Sequence, residues 1–195
     1  TASTEAGSTA DGAEAPDLNQ DTKGTTITFW HSMGGVNGEA MDYLVNKFNE
    51  ENTDGITVEA VYQGEYDDTI NKLKSAQIGN MGADLVQIYD IGTRFMIDSG
   101  WVIPMQELIN ADGYDISQIE PNIAAYYTVN NELYSMPFNS STPILYYNKD
   151  MFEKAGITEV PTSLEGILAI GDDLKTKGGA GEPLALSIYG WYFEQ

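Results

Sequence analysis

The sequence contains no cysteine, a single histidine (His31) and a single arginine (Arg94), and no apolar run comes near the length of a membrane span. Without cysteine there is no disulfide framework, no thiolate nucleophile and no thiolate-held zinc, which is compatible with an exported protein that avoids stray oxidation. A spanning helix needs about 20 apolar residues, so nothing here is expected to cross a bilayer. His31 has no second histidine or cysteine to join it, so it reads as a structural or cleft-lining residue and not as a metal ligand or general base. No metal or other cofactor is expected, and no serine, histidine and acid form a triad pattern. Positive charge is scarce as well. Nine Lys and Arg against 30 Asp and Glu leave a net charge of −21, which argues against nucleic acid or an anionic membrane surface as partner, solubility being reason enough for the excess. No signal-peptide pattern opens the sequence, as expected of a mature or otherwise trimmed chain.

What is present suffices for a core, since 42% of the 195 residues are hydrophobic. Residues 1–24 are mostly Thr, Ala, Ser, Gly, Asp and Glu with Leu18 as the one large apolar side chain, too little to offset ordering entropy, so they read as a flexible tether. An appended segment of no function is the alternative. From there strands and helices alternate. Strands are expected at 26–30, 56–62 and 84–89, with a glycine-rich loop at 31–38. Helices are expected at 39–49, carrying Met41, Leu44, Val45 and Phe48 at helical spacing, and at 66–78, with Ile70, Leu73 and Ile78 inward. Short helices follow at 93–99, 106–110 and 117–125, then a hairpin turning on Asn130-Asn131. The third strand lacks clean alternation, which suggests helices on both faces of a mostly parallel sheet. In such α/β folds ligands sit beyond the carboxyl ends of the strands, which selects the loops at 31–38, 63–66, 90–93, 139–142 and 189–191. Gly34-Gly35-Val36-Asn37-Gly38 lacks the Gly-Lys-Ser/Thr ending of a nucleotide loop.

The densest local chemistry lies at 136–156. Pro137 and Pro143 bracket a polar turn. Residues 144–147, Ile-Leu-Tyr-Tyr, read as a buried strand; Asn148 is placed to cap a helix from Lys149, and Gly156 to end it. Beyond it, Thr162-Ser163-Leu164-Glu165 has the form of a capping box opening a helix to Lys177, closed by Gly178-Gly179, and 184–188 is a last strand.

Phe138-Asn139-Ser140-Ser141-Thr142-Pro143 and Tyr146-Tyr147-Asn148-Lys149-Asp150 resemble the signature of extracellular solute-binding proteins that feed ABC importers. With Phe29-Trp30-His31-Ser32-Met33 and Gln87-Ile88-Tyr89-Asp90-Ile91-Gly92-Thr93 they look most like the glycerol-3-phosphate-binding branch. The resemblance implies a type II periplasmic-binding-protein fold, two-lobed, with mostly parallel sheets and flanking helices. On that plan 25–139 is the first lobe, and 140–195 is the hinge and the beginning of a second, incomplete lobe. It implies a monomeric, extracytoplasmic receptor that is not an enzyme, passing a small-molecule ligand to ABC permease subunits. Membrane contact is implied only through a lipid anchor on the tether.

Four residues follow as ligand contacts, each with a plainer alternative. Asp90 ends the third strand, where a carboxylate can accept from ligand hydroxyls or simply cap the next helix; the resemblance favours contact, although a member of the family has Glu there. Ser141 offers a hydroxyl beside backbone amides, suited to phosphate, yet a serine between prolines is ordinary turn chemistry. Tyr66 matches a ligand-touching tyrosine, with packing on Tyr62 as the alternative. Trp191 matches an apolar wall of the cleft, and could equally be core. The expected ligand is glycerol 3-phosphate or a glycerophosphodiester. A neutral oligosaccharide stacked on some of the twelve tyrosines and three tryptophans is the rival ligand, and a hydrolase using Asp90 is the rival class.

Overall fold

The computed structural model describes residues 22–79 and 81–194, so the expected tether lies almost wholly outside the described residues. Its last positions are tied down: the Thr22 hydroxyl donates to the Asp54 carbonyl (2.9 Å) and the Gly24 amide to the Gly55 carbonyl (2.8 Å). The chain divides into two compact units, 1–139 and 140–195.

The first unit is an α/β layer. Strand β1 (Thr26–His31) is followed by helix α1 (Gly35–Glu51), strand β2 (Thr57–Tyr62), helix α2 (Tyr66–Ile78) and the short strand β3 (Leu85–Val86). The sheet order is β2-β1-β3, all parallel, with Thr26 opposite Thr57 and Phe29 opposite Leu85. The outer edge of β2 is closed by a side chain: Asn49 of α1 donates from Nδ2 to the Val58 carbonyl (2.9 Å) and accepts from its amide (2.7 Å), so these groups do not offer a template to another strand. The hydrophobic core holds Phe29, Met41, Ile70 and Leu73, joined by Met96, Ile109 and Leu133 from the elements that follow.

Several expectations are corrected here. The glycine-rich loop is only Ser32 to Gly34, because α1 already starts at Gly35 with Gly34 as its cap residue. Leu44 and Phe48 of α1 are exposed, leaving Met41 as the buried residue of that helix. Ile78 is 91% exposed, since five residues past Leu73 is roughly 140° around a helix and off the buried stripe. The third strand shrinks from 84–89 to two residues because side chains take over on both flanks. Asp84 accepts the Thr28 amide on its carboxylate (2.9 Å), and Gln87 turns its side chain to the Ser32 amide.

A 3-10 turn, Asp90–Gly92, leads into α3 (Thr93–Ser99), α4 (Met105–Asp112) and α5 (Pro121–Tyr126). Only glycine fits at position 92, where a Cβ would lie 2.8 Å from both Ile70 Cδ1 and Ile88 Cγ2. Hairpin strands β4 (Thr128–Val129) and β5 (Glu132–Leu133) turn on Asn130 (φ 53°) and Asn131 (φ 66°), the left-handed pair that an asparagine turn supplies.

The second unit contains α6 (Lys149–Ala155), α7 (Leu164–Ala169), α8 (Gly171–Thr176) and α9 (Trp191–Glu194). Asn148 caps α6 by accepting the Met151 amide (3.1 Å), and Gly156 ends it at φ 73°. The expected helix to Lys177 is broken at Ile170, and its cap is Ser163, which accepts the Gly166 amide (3.1 Å), rather than Thr162 paired with Glu165. A capping box does form elsewhere, between Glu65 and Asp68 at the start of α2. Neither 144–147 nor 184–188 forms a strand; Tyr146 is 88% and Ile188 96% exposed, and among the described residues the unit has no sheet for them to join.

Candidate functional site

Because β1, β2 and β3 are parallel, their carboxyl ends share one edge of the sheet, and three connections emerge there: Ser32 to Gly34, Gln63 to Glu65, and Gln87 into the Asp90–Gly92 turn. This is where an open parallel sheet presents its ligand groups. The first of these connections rests on His31, which is buried between Phe29 (ring centroids 5.8 Å) and Tyr62 (6.0 Å). Its Nδ1 accepts the Met33 amide at 3.2 Å, which requires the unprotonated nitrogen. Desolvation by burial lowers the His31 pKa, and the nearby Asp42 carboxylate opposes that shift only in part. His31 therefore supports the loop as a neutral ring, in line with a structural role.

Tyr66 opens α2 and stacks on Tyr89, not on Tyr62 (centroids 5.5 Å, planes 13° apart). The Tyr89 hydroxyl donates to Asp67 (2.6 Å), pinning one ring of the pair, while Asn139 Nδ2 donates to the Tyr66 hydroxyl (3.3 Å). Beneath them runs a polar chain. Gln87 Oε1 accepts the Ser32 amide (2.9 Å), Gln87 Nε2 donates to Asn139 Oδ1 (2.8 Å), and the hydroxyls of Ser32 and Thr69 lie 2.7 Å apart. Ser32, Thr69 and Gln87 are all buried and all hydrogen-bonded, so the rim is braced from below.

Asp90 begins the 3-10 turn and does not cap α3, whose cap residue is Gly92. One carboxylate oxygen accepts the Ile91 amide (2.9 Å) and the other the Tyr126 hydroxyl (2.8 Å). Those two bonds orient the group. Tyr66 and Asp90 thus stand on the same rim, linked through Tyr89. Ser141 and Trp191 belong to the second unit, Ser141 exposed in the proline-bracketed turn and Trp191 half-buried at the start of α9.

Sequence reasoning missed Gln87, Tyr89, Tyr126 and Asn139. Gln87 and Tyr89 sit in the same Gln-Ile-Tyr-Asp block as Asp90, so the signal was the polar residue two before the tyrosine in an otherwise apolar strand end. Tyr126 carried none, since it reaches Asp90 from 36 residues away. Arg94, the one arginine, is committed to Asp98 through two hydrogen bonds (2.9 and 2.6 Å), which raise its pKa further.

The first unit thus carries a braced aromatic and carboxylate rim at the carboxyl edge of an open parallel sheet. Residues 34–195 match the bacterial extracellular solute-binding protein family, and the chain belongs to it. Over 138 residues the chain is 43% identical to the sn-glycerol-3-phosphate-binding periplasmic protein UgpB of Salmonella typhimurium, which covers 68% of this chain and 31% of that one. With UgpB of Escherichia coli K12 it shares 37% over 161 residues, 79% of this chain and 36% of the other. The crystal structure of UgpB from Mycobacterium tuberculosis in complex with glycerophosphocholine superposes with a TM-score of 0.68 at 26% identity, covering 80% of this chain and 41% of that one. The chain therefore spans about a third of the length of these curated relatives. The periplasmic-binding-protein fold and the extracytoplasmic location expected from sequence stand with the family. No helix among the described residues is long and apolar enough to cross a membrane.

Proposed function

We propose that this chain is the ligand-capturing part of an ABC-importer receptor that takes up glycerol 3-phosphate or a glycerophosphodiester. The observation that carries the reading is the rim of Tyr66, Tyr89 and Asp90 at the carboxyl edge of the sheet, in a chain 43% identical to a glycerol-3-phosphate-binding protein over 138 residues. The two aromatic rings supply a flat wall for a three-carbon chain, and the Asp90 carboxylate accepts from its hydroxyls. In this reading Ser141 adds a hydroxyl for the phosphate and Trp191 a further apolar wall. The receptor works as a monomer and hands its ligand to permease subunits, either as a cell-surface lipoprotein or as a periplasmic protein. The reading makes it a receptor and not an enzyme, in keeping with relatives that are solute-binding proteins.

Calorimetry on a full-length protein carrying this sequence tests the reading, with glycerol 3-phosphate, glycerophosphocholine and maltose as ligands. Micromolar binding of the phosphorylated pair that weakens with salt is expected, since capture of a charged group is screened. The stacked tyrosines also suit a neutral oligosaccharide; tight maltose binding indifferent to salt selects that alternative. Sustained phosphate release would instead make the protein a hydrolase.

A further inference from the structure

The acceptor and donor roles along the polar chain under the rim are not arbitrary. A backbone amide can only donate, so the Ser32 amide fixes the Gln87 oxygen as acceptor toward it at 2.9 Å. The Gln87 amide nitrogen must then be the end that faces Asn139, where it donates to Oδ1 at 2.8 Å. That in turn leaves Asn139 Nδ2, a donor only, against the Tyr66 hydroxyl at 3.3 Å. The Tyr66 oxygen accepts on that side, and its one proton points away from Asn139. Gln87 is buried, and the Ser32 end is held by the neighbouring Thr69, itself fully buried, so the chain starts from a fixed point. The Tyr66 ring is held in turn by Tyr89, which Asp67 pins. Three residues, Ser32, Gln87 and Asn139, thus lead to one hydroxyl group whose direction is set at the far end by a peptide N–H.

We propose that Gln87 and Asn139 are positioning residues: a hydrogen-bond relay from the Ser32 amide that fixes the Tyr66 hydroxyl as a donor toward the ligand, so that the site selects an anionic or other acceptor oxygen. This rests on the proposed reading of Tyr66 as a ligand contact and adds what makes that contact specific. In a chain with 30 acidic residues and nine basic ones, an oriented neutral donor is one way to favour an anion without a cation beside it. Reversing the relay reverses the selection. Gln87→Glu has no N–H to offer Asn139, so the Asn139 amide turns over, its oxygen takes the Tyr66 proton, and the hydroxyl shows the ligand only lone pairs.

The test is a double-mutant cycle on a full-length protein carrying this sequence, with glycerol 3-phosphate as probe and calorimetry as readout. Tyr66→Phe is expected to weaken binding roughly ten- to a hundredfold, the loss of one hydrogen bond to a charged group. Gln87→Glu should weaken it by a similar factor, and the double variant should be within about twofold of Tyr66→Phe alone, because the relay has nothing left to orient. A Gln87→Glu loss that persists in full when Tyr66 is already Phe means plain charge repulsion or altered packing, and overturns the relay. So does wild-type affinity in Gln87→Glu beside a weakened Tyr66→Phe. If Tyr66→Phe itself binds normally, the site reading fails and the relay falls with it. Asn139→Asp carries the same test should Gln87→Glu fail to fold: its oxygens accept from both Gln87 and Tyr66, turning the proton inward while leaving the buried Ser32–Gln87 pair intact.

Discussion

Phe29 and Trp30 lie in a strand with β2 on one side and β3 on the other, whereas the equally apolar 144–147 and 184–188 run without a ladder partner and stand largely in solvent. By local propensity the three segments are alike. They differ in what the surrounding chain supplies. Around β1 there are two further strands, two long helices and an asparagine side chain to close the outer edge. Within 140–194 there are four short helices, whose buried apolar residues among those described are Ala155 and Leu174, and Leu164 and Leu168 of α7 remain exposed. Two isolated strand-prone segments cannot offset the entropy of ordering by pairing alone, so strand formation here is a property of the assembly and not of the segment.

The largest expected effect attacks that contrast directly. Leu73→Ala, at a site 3% exposed in α2, should cost about 2–5 kcal/mol by lost transfer energy and a residual cavity. Ile188→Ala, at a site 96% exposed, should stay within about 0.5 kcal/mol. Urea unfolding followed through Trp30 and Trp101 for the first unit and Trp191 for the second compares them; equal losses would mean that the second unit buries a core around Ile188 after all.

Next in size, and confined to the rim, is Asp90→Ala. It should reduce glycerol 3-phosphate affinity by roughly 1.5–3 kcal/mol through the loss of charged acceptor bonds. The apo melting temperature should hardly move, since the exposed Tyr126 hydroxyl left behind can be rehydrated. A sharp fall in melting temperature at unchanged affinity would reduce Asp90 to a brace for Tyr126.

How much of this was legible in the sequence follows the same division. Elements whose cause is local were readable: α2 and α3 fall where helical spacing put them, Asn148 and Gly156 cap α6, and Asn130-Asn131 turns the hairpin. Elements whose cause is distant were not. The third strand is cut short by Gln87 reaching Ser32, 55 residues away, and the strands at 144–147 and 184–188 fail for want of a neighbour. The rim shows the same limit. Asp90 and Tyr66 were identified by family resemblance, but the partners that orient them lie 36 and 73 residues off: Tyr126 has no pattern to announce it, and Asn139 stands in the signature block without a sign of what it touches.

A smaller effect separates the two candidate caps of α7. Ser163→Ala should cost the second unit about 1 kcal/mol, since its hydroxyl oxygen accepts the Gly166 amide, while Thr162→Ala should be nearly neutral. The helical circular dichroism signal at the midpoint of that unit's unfolding tells them apart. The reverse ranking would restore the Thr162–Glu165 box and with it a continuous helix.

The smallest effect is a pH dependence that should belong to the first unit alone, because His31 is the only histidine in the chain. Burial lowers its pKa in the fold, so between that value and the ordinary 6.5 the unfolded chain binds more protons than the folded one. Stability then rises with pH across this window: the contribution is fully present above 6.5 and is lost as pH falls through the folded value. Physically, protonation places a charge between Phe29 and Tyr62 and converts Nδ1 from acceptor to donor against the Met33 amide, with only Asp42 to offset it. His31→Asn keeps a side-chain acceptor for that amide without a titratable ring. Its urea midpoint, read through Trp30, should therefore fall less than the wild-type midpoint between pH 7.5 and 5, while the Trp191 signal of the two proteins should respond to pH identically. A Trp191 transition that follows the His31 titration would show that the two units unfold as one, and the contrast between them would then be one of architecture and not of stability.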